Sequence, residues 1–306
     1  MKNITSLYIL LRNELNLLLL HYEHLLGRIA PKKLASLRYK RICGKKLDWK
    51  HPADINEKIN WLKFNSDTSR WTELADKYRV RKYVEACGLG HMLIKLYGTW
   101  EKADDIDWAA LPNKFVLKTN HGSKDVLICH DKSEIDTALW TEKFRKWQKT
   151  KFGTRMAEPH YDKINPLIIA EELLDRTKQS IPSPSLIDYK IWSFNGKPAY
   201  ICVYFNRTSD SMNLAVYDVN WQPHPEFIAN DGFHLPAECD IPRPSSLDEM
   251  LNAAARLSEG FPEVRVDLYE VGGKTYFGEM TFTAAGGYIT SYTQEFLNIL
   301  GEKTMI

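Results

Sequence analysis

Arg265, Asp267 and Glu279 are charged residues set in two runs that otherwise read as buried strand, VRVDLYEV and KTYFGEMTF, separated by Gly272-Gly273. The runs predict a hairpin. A two-residue turn would pair Val271 with Lys274 and bury Arg265 and Asp267 beside Tyr276, Met280 and Phe282, with Glu279 on the other face. A one-residue slip reverses every side chain. With a loop of Gly272–Lys274, Val271 pairs with Thr275, and Val264, Val266 and Leu268 share an apolar face with Tyr276, Met280 and Phe282. Asp267 then lies opposite Glu279, with Arg265 and Thr281 alongside. Facing carboxylates repel unless a cation sits between them. Hard carboxylate oxygens suit Mg2+, which binds through one or two carboxylates together with substrate phosphates, and a structural ion-pair cluster is the other reading.

Two further stretches fit a phosphate-bearing ligand. In FVLKTNHGSKDVLIC, Lys118 precedes a turn made of Asn120, His121, Gly122 and Ser123. Backbone N–H groups of such a turn can fold over phosphates while a strand lysine supplies fixed positive charge. A plain hairpin with a surface lysine has the same form. PLIIAEELL runs an apolar strand into Glu171 and Glu172, either a solvated strand end or a hinge reading an adenine edge. Asp188 and Lys190, at i and i+2 in LIDYKIW, share one strand face as a functional or merely salt-bridged pair.

These residues need elements to carry them. Residues 1–65 read as helices, ending in NEKINWLKFN, and 76–87 as a further amphipathic helix closed by Gly88 and Gly90. A strand, a polar turn and a strand span 111–131. A helix with Trp140, Phe144 and Trp147 follows, then the strand 166–174. The Pro/Ser-rich DRTKQSIPSPS is loop. LIDYKIWSFNG, KPAYICVYFNR and NLAVYDV are strands, and 246–261 is a helix before the hairpin. The class is α+β. Four parts are expected: 1–65 helical, 66–111 helix and linker, 112–172 an N-terminal lid, and 173–306 a C-terminal part holding the metal site.

Bulk properties narrow the function. The 306 residues are 44% hydrophobic and 26% charged with net charge +2, ordinary for a globular protein and unlike a nucleic-acid binder. Five scattered cysteines suggest neither a disulfide framework nor a zinc site, so a reducing, cytoplasmic setting is expected. LYILLRNELNLLLLHYEHLLGRI has helical apolar spacing, but polar residues interrupt it before it could span a bilayer. It reads first as an amphipathic packing helix; with the basic PKKLASLRYKRICGKKLDWK behind it, residues 1–50 are alternatively the part that would touch the inner membrane face.

Taken in order, the motifs resemble the ATP-grasp superfamily, in which two α+β subdomains clasp ATP and a carboxylate is phosphorylated for attack by an amine. RVD…GEMT resembles the metal segment of D-alanine–D-alanine ligases. The resemblance implies ATP and Mg2+, with Asp267 and Glu279 as ligands and Thr281 standing where an asparagine ligand is usual. Arg265 takes the place of the arginine that steadies the transferring phosphoryl group. Lys77, in ADKYRVRKYV, and Lys118 match the phosphate-contacting lysines, and Asn120–Ser123 the lid. Glu171, Glu172 and Leu174 match the adenine hinge, Asp188 the ribose-binding acid, and Arg207 stands in for a basic residue common mid-sheet. More narrowly, RYKRICGKKLDWKHPADINEKINWLKFN, FVLKTNHGS, DYKIWSFNGKP and RVDLY…YFGEMTF resemble the TupA-like ATP-grasp family, associated with teichuronopeptide and capsule biosynthesis. The implied function is an ATP-grasp carboxylate–amine ligase acting on small-molecule or glycan substrates, in peripheral contact with membrane-associated polysaccharide machinery. A sugar-polymer glycosyltransferase and a non-catalytic nucleotide-binding module are the alternatives.

Overall fold

The computed structural model describes residues 19–306, so the first part of the expected N-terminal helix lies outside the described residues. Residues 19–29 are helical. The chain then restarts as α1 (Pro31–Cys43), with proline in its first turn and Gly44, at φ 73°, closing it. Glu23 receives Arg38 at 2.8 Å and Arg41 at 2.5 Å, which folds the first helix back along α1. Helix α2 (Ile55–Asn65) is capped by Asp54, whose carboxylate accepts from the Glu57 N–H. Two short helices follow, α3 (Ser69–Leu74) and α4 (Val80–Ala86). The helix expected from residue 76 therefore begins later. Asp76 binds the N–H groups of Tyr78 and Arg79 and holds Lys77 in a turn instead.

A four-stranded antiparallel sheet comes next, in the order β1-β4-β2-β3. Its strands are β1 (Leu96–Trp100), β2 (Phe115–Thr119), β3 (Val126–Cys129) and β4 (Ile168–Glu171). Strand β1 lies in what reads from the sequence as helix and linker. All five of its residues are only half-buried, and LYGTW lacks the alternation that marks a strand. Helix α5 (Thr137–Gln148) covers this sheet with Phe144, and the short α6 (Phe152–Met156) leads back toward β4.

The larger sheet runs β10-β9-β5-β6-β7-β8. It comprises β5 (Asp188–Phe194), β6 (Lys197–Phe205), β7 (Met212–Asp218), the short parallel β8 (His234–Pro236), β9 (Val264–Val271) and β10 (Lys274–Thr281). Helix α7 (Leu247–Leu257) packs Leu247, Met250 and Leu257 on one face, against Val266 and Leu268. On the other, α2 and α8 (Gln294–Lys303) bring Ile55, Ile59, Phe296 and Leu300 to Trp192 and Leu214. Covered on both sides, β5 has no exposed residue. Phe282 stacks on Trp71 at 5.3 Å, tying the end of β10 to α3 by about 0.5–1.5 kcal/mol beyond the area buried.

The hairpin corrects the expected register. The loop is the two-residue one: Lys274 pairs with Val271 and Phe277 with Leu268. Gly272 and Gly273 have φ of 62° and 73°, the left-handed pair that such a tight turn needs. A bulge between Phe277 and Glu279 then absorbs one residue, so Glu279 still pairs with Asp267 and Thr281 with Arg265. Phe277, not Tyr276, joins Leu268 in the core, while Tyr276 pairs with Tyr269 on the charged side.

Candidate functional site

The charged face of the large sheet is built from three neighbouring strands. Asp267 on β9 pairs in register with Lys190 on β5 and Glu279 on β10. Its carboxylate, 1% exposed, accepts from Arg265 Nε at 2.8 Å and Arg265 Nη2 at 2.8 Å, and contacts Lys190 Nζ. Burial pushes the Asp267 carboxyl up, but the cations Arg265 and Lys190 outweigh it and hold it low. Thr281 Oγ1 sits between Arg265 Nη2 at 3.3 Å and Glu279 Oε1 at 3.5 Å. Glu279 is half-buried and has no ion pair of its own among the described residues, unlike Asp267.

Lys190 lies 3.9 Å from Asp188, which also takes Arg207 at 2.7 Å. Asp188 and Lys190 are therefore inner links of a charge chain that runs from Arg207 through Asp267 to Arg265. Tyr269, which the spacing of charges did not single out, lies among Asp188, Glu279 and Asp267; their charge and its burial push its hydroxyl well above the usual range. Tyr161 enters from the segment after α6, and burial followed by Glu158 and Glu279 raises its hydroxyl as well. Tyr269 shares the strand face of Arg265 and Asp267 at i+4 and i+2, a signal present in the alternation, whereas Tyr161 has no such neighbour in sequence.

The smaller sheet faces this surface with its turn. Lys77 Nζ donates to the Gly122 carbonyl at 2.7 Å, and the Lys77 N–H to Asn120 at 3.2 Å. Burial lowers the Lys77 ammonium, Glu279 from the larger sheet opposes that and Lys118 from the smaller one adds to it, so Lys77 lies within the field of both. A Cβ on Gly122 would fall 2.3 Å from Asp125 Oδ2, so a larger residue there would have to displace the Asp125 carboxylate. His121 is 4% exposed, with its ring lowered by burial and by Lys77, while Ser123 is open to solvent. Lys118 Nζ is 2.6 Å from Glu171, whose other oxygen lies 3.6 Å from Arg81. Glu171 is thus an anchor for two cations, whereas Glu172 is exposed and its N–H binds the Lys95 carbonyl. Leu174 packs with Ile94 and Val271 at the junction of the sheets.

Helix α2 supplies something the sequence held in plain view. Asn56, Asn60 and Lys63, at i, i+4 and i+7, are buried polar residues turned to the loop after β10. Asn56 clasps Ile289 through both its N–H and its carbonyl, at 2.8 and 3.0 Å. Asn60 donates to the Gly287 carbonyl and Lys63 to that of Gly286, each at 2.8 Å. That loop holds Ala285, Gly286 and Gly287 at positive φ. It walls a cavity of about 230 Å³ shared with Lys190, Arg265, Tyr204, Arg207 and His234.

For Mg2+ the donors are Asp267, Glu279 and the Thr281 hydroxyl, hard oxygens gathered on one face. No group of three His, Cys, Asp or Glu residues suited to a metal occurs among the described residues. Two carboxylates with a hydroxyl suit an ion that keeps waters and shares itself with phosphates. Glu279, with no ion pair of its own, is the oxygen donor most open to it. Asp267 can join only where Lys190 or Arg265 yields an oxygen, so the residues fit a metal held mainly through Glu279.

A sequence profile of the TupA-like ATP-grasp family matches residues 57–305. Among solved structures, a D-alanine–D-alanine ligase from Bacillus anthracis is 18% identical, with TM-score 0.45, over 82% of this chain and 66% of that one. The same enzyme complexed with ATP is 14% identical, with TM-score 0.45, over 82% and 68% of the two chains. The Helicobacter pylori enzyme is 9% identical, with TM-score 0.43, over 83% and 67%. This chain thus spans 66% of the first of them. Values this low carry nothing about activity. No curated protein matches. The profile runs from the first turn of α2 to the C-terminus and takes in both sheets, and the chain belongs to the TupA-like ATP-grasp family.

Proposed function

We propose that the protein is an ATP- and Mg2+-dependent ligase that joins a carboxylate to an amine through an acyl phosphate. The observation that supports it most is that Lys77, in the turn before α4, donates to the Gly122 carbonyl of the smaller sheet's turn and feels the charge of both Lys118 and Glu279, while Arg265 and Asp267 pair beside Glu279 on the larger sheet. In that reading a substrate carboxylate oxygen attacks the γ-phosphorus of ATP and the bond to the β-phosphate oxygen breaks, releasing ADP. The amine nitrogen then attacks the acyl carbon, phosphate leaves and the nitrogen loses a proton. Lys77, Lys118 and Arg265 hold negative charge on the transferring group, which is where phosphoryl-transfer catalysis resides. Mg2+, when bound through Glu279, Thr281 and Asp267, would neutralise charge between the phosphates.

The cavity beside Arg265 is rich in cations, with Lys190 and Arg207 around it. That suits an anionic partner such as a uronic acid or an amino acid, in surface-polymer synthesis of the teichuronopeptide or capsule kind that the family resemblance suggests. A screen of carboxylate and amine pairs for ADP release, with mass spectrometry of the product, tests the reading. It expects ADP and an amide-linked product in equal amounts. Sugar transfer from a nucleotide sugar without ATP consumption would overturn it in favour of a glycosyltransferase. Nucleotide binding without turnover for any pair would favour a non-catalytic module, the reading that Thr281 in place of asparagine supports.

A further inference from the structure

Among the described residues, seven of the twelve exposed large apolar side chains lie between Leu19 and Ile42. Tyr22, Leu25 and Ile29 follow one another at i, i+3 and i+7 on the first helix, with exposures of 51%, 55% and 71%. Leu37 is exposed on α1, framed at helical spacing by the exposed Lys33, Lys40 and Arg41. An apolar surface gathered like this on one helical hairpin marks an interaction site. No other described residue covers it.

Charge says what the partner is. Residues 19–50 hold nine Lys or Arg against Glu23 and Asp48, a net +7 in a chain whose total is +2. Glu23 is 6% exposed and tied to Arg38 and Arg41, so it adds little negative charge outside. A second copy would bring the same cationic rim to a two-fold interface and repel. An anionic lipid surface satisfies both features, because the apolar stripe enters the headgroup boundary while lysine and arginine stems reach outward to phosphates. No described helix is long and apolar enough to cross a membrane.

We infer that the hairpin of residues 19–43 docks the protein on an anionic membrane surface, lying in the interface without crossing it. The full-length chain should sediment with vesicles of phosphatidylcholine mixed with phosphatidylglycerol, and far less with phosphatidylcholine alone. Binding should weaken when salt shortens the Debye length from about 10 Å to about 3 Å. Leu25→Glu with Ile29→Glu should lower vesicle binding by about tenfold or more with melting temperature and nucleotide binding unchanged, because both side chains are exposed. Lys33→Glu with Lys40→Glu should abolish the preference for the anionic vesicles. No sedimentation with the mixed vesicles would overturn the inference, as would binding that neither pair alters. Self-association in sedimentation velocity that Leu25→Glu with Ile29→Glu abolishes, without vesicle binding, would overturn it too and assign the face to a second copy.

Discussion

Asp267 and Glu279 face each other across the hairpin but keep different company. Asp267 is the counter-ion of Arg265 and Lys190, two cations with little exposure of their own. Neutralising it as Asp267→Asn should strand Arg265, leave Lys190 only the more distant Asp188 and lower stability by about 3–5 kcal/mol, read in denaturant melts without nucleotide. Glu279→Gln should leave that stability unchanged or raised while Mg2+-dependent turnover falls by orders of magnitude. Equal destabilisation by the two variants would sink the division of roles. Lys118 is also more than a strand lysine at the surface, the role that leaves the fold indifferent to its loss. It neutralises the buried Glu171, with Arg81 the more distant partner. Lys118→Ala should therefore weaken ATP binding by about 1.5–3 kcal/mol in calorimetry and lower the melting temperature as well. An unchanged melt would mean that Arg81 suffices.

At the scale of the element, the bulge decides whether the hairpin is a site. With a two-residue turn and no bulge, Glu279 would point into the core beside Leu268. Gly278 lets the strand slip by one because it has no side chain: a Cβ there would meet the Asp267 carbonyl at 2.9 Å and the Tyr269 ring at 3.0 Å. Gly278→Ala should cost about 1–3 kcal/mol from overpacking and cut turnover more than nucleotide affinity. A variant that melts and turns over like the parent would show that the bulge tolerates a methyl group. Alternation revealed that Asp267 must oppose Glu279. It could not distinguish a longer loop from a tight turn followed by a bulge, since both restore the same face. Strand β1 escaped for a related reason: its side chains are half-buried throughout and carry no period.

Over the whole molecule, the buried groups set how the fold answers to pH. His160 is fully buried with its ring edge-on to Trp71 at 5.6 Å, and burial, then Lys63 and Lys163, pushes its ring down to about 3. The folded value lies below the ordinary 6.5, so the unfolded chain binds more protons below pH 6.5 and stability falls as pH drops through that window. Between neutral pH and about pH 5 this one group should remove about 2 kcal/mol. The stability advantage of the parent over His160→Gln should shrink by that amount in melts across the range, and a constant difference would refute the neutral buried ring. Glu158 runs the other way, raised by burial to about 7, so the difference between parent and variant is the quantity to follow. By itself the sequence determined the α+β class, most of the strands, the opposed carboxylates and the family, because turn residues, alternation and ordered motifs are local properties of the chain. Only the tertiary structure decided that Arg265 and Lys190 converge on Asp267, that Lys77 reaches Gly122 and Glu279, and that α2 grips the loop at 286–289. Apart from Arg265, two residues from Asp267, those contacts join residues from 45 to 233 positions apart. Burial, strand order and the slip at Gly278 make them neighbours, and none of these is written in the spacing of any one segment.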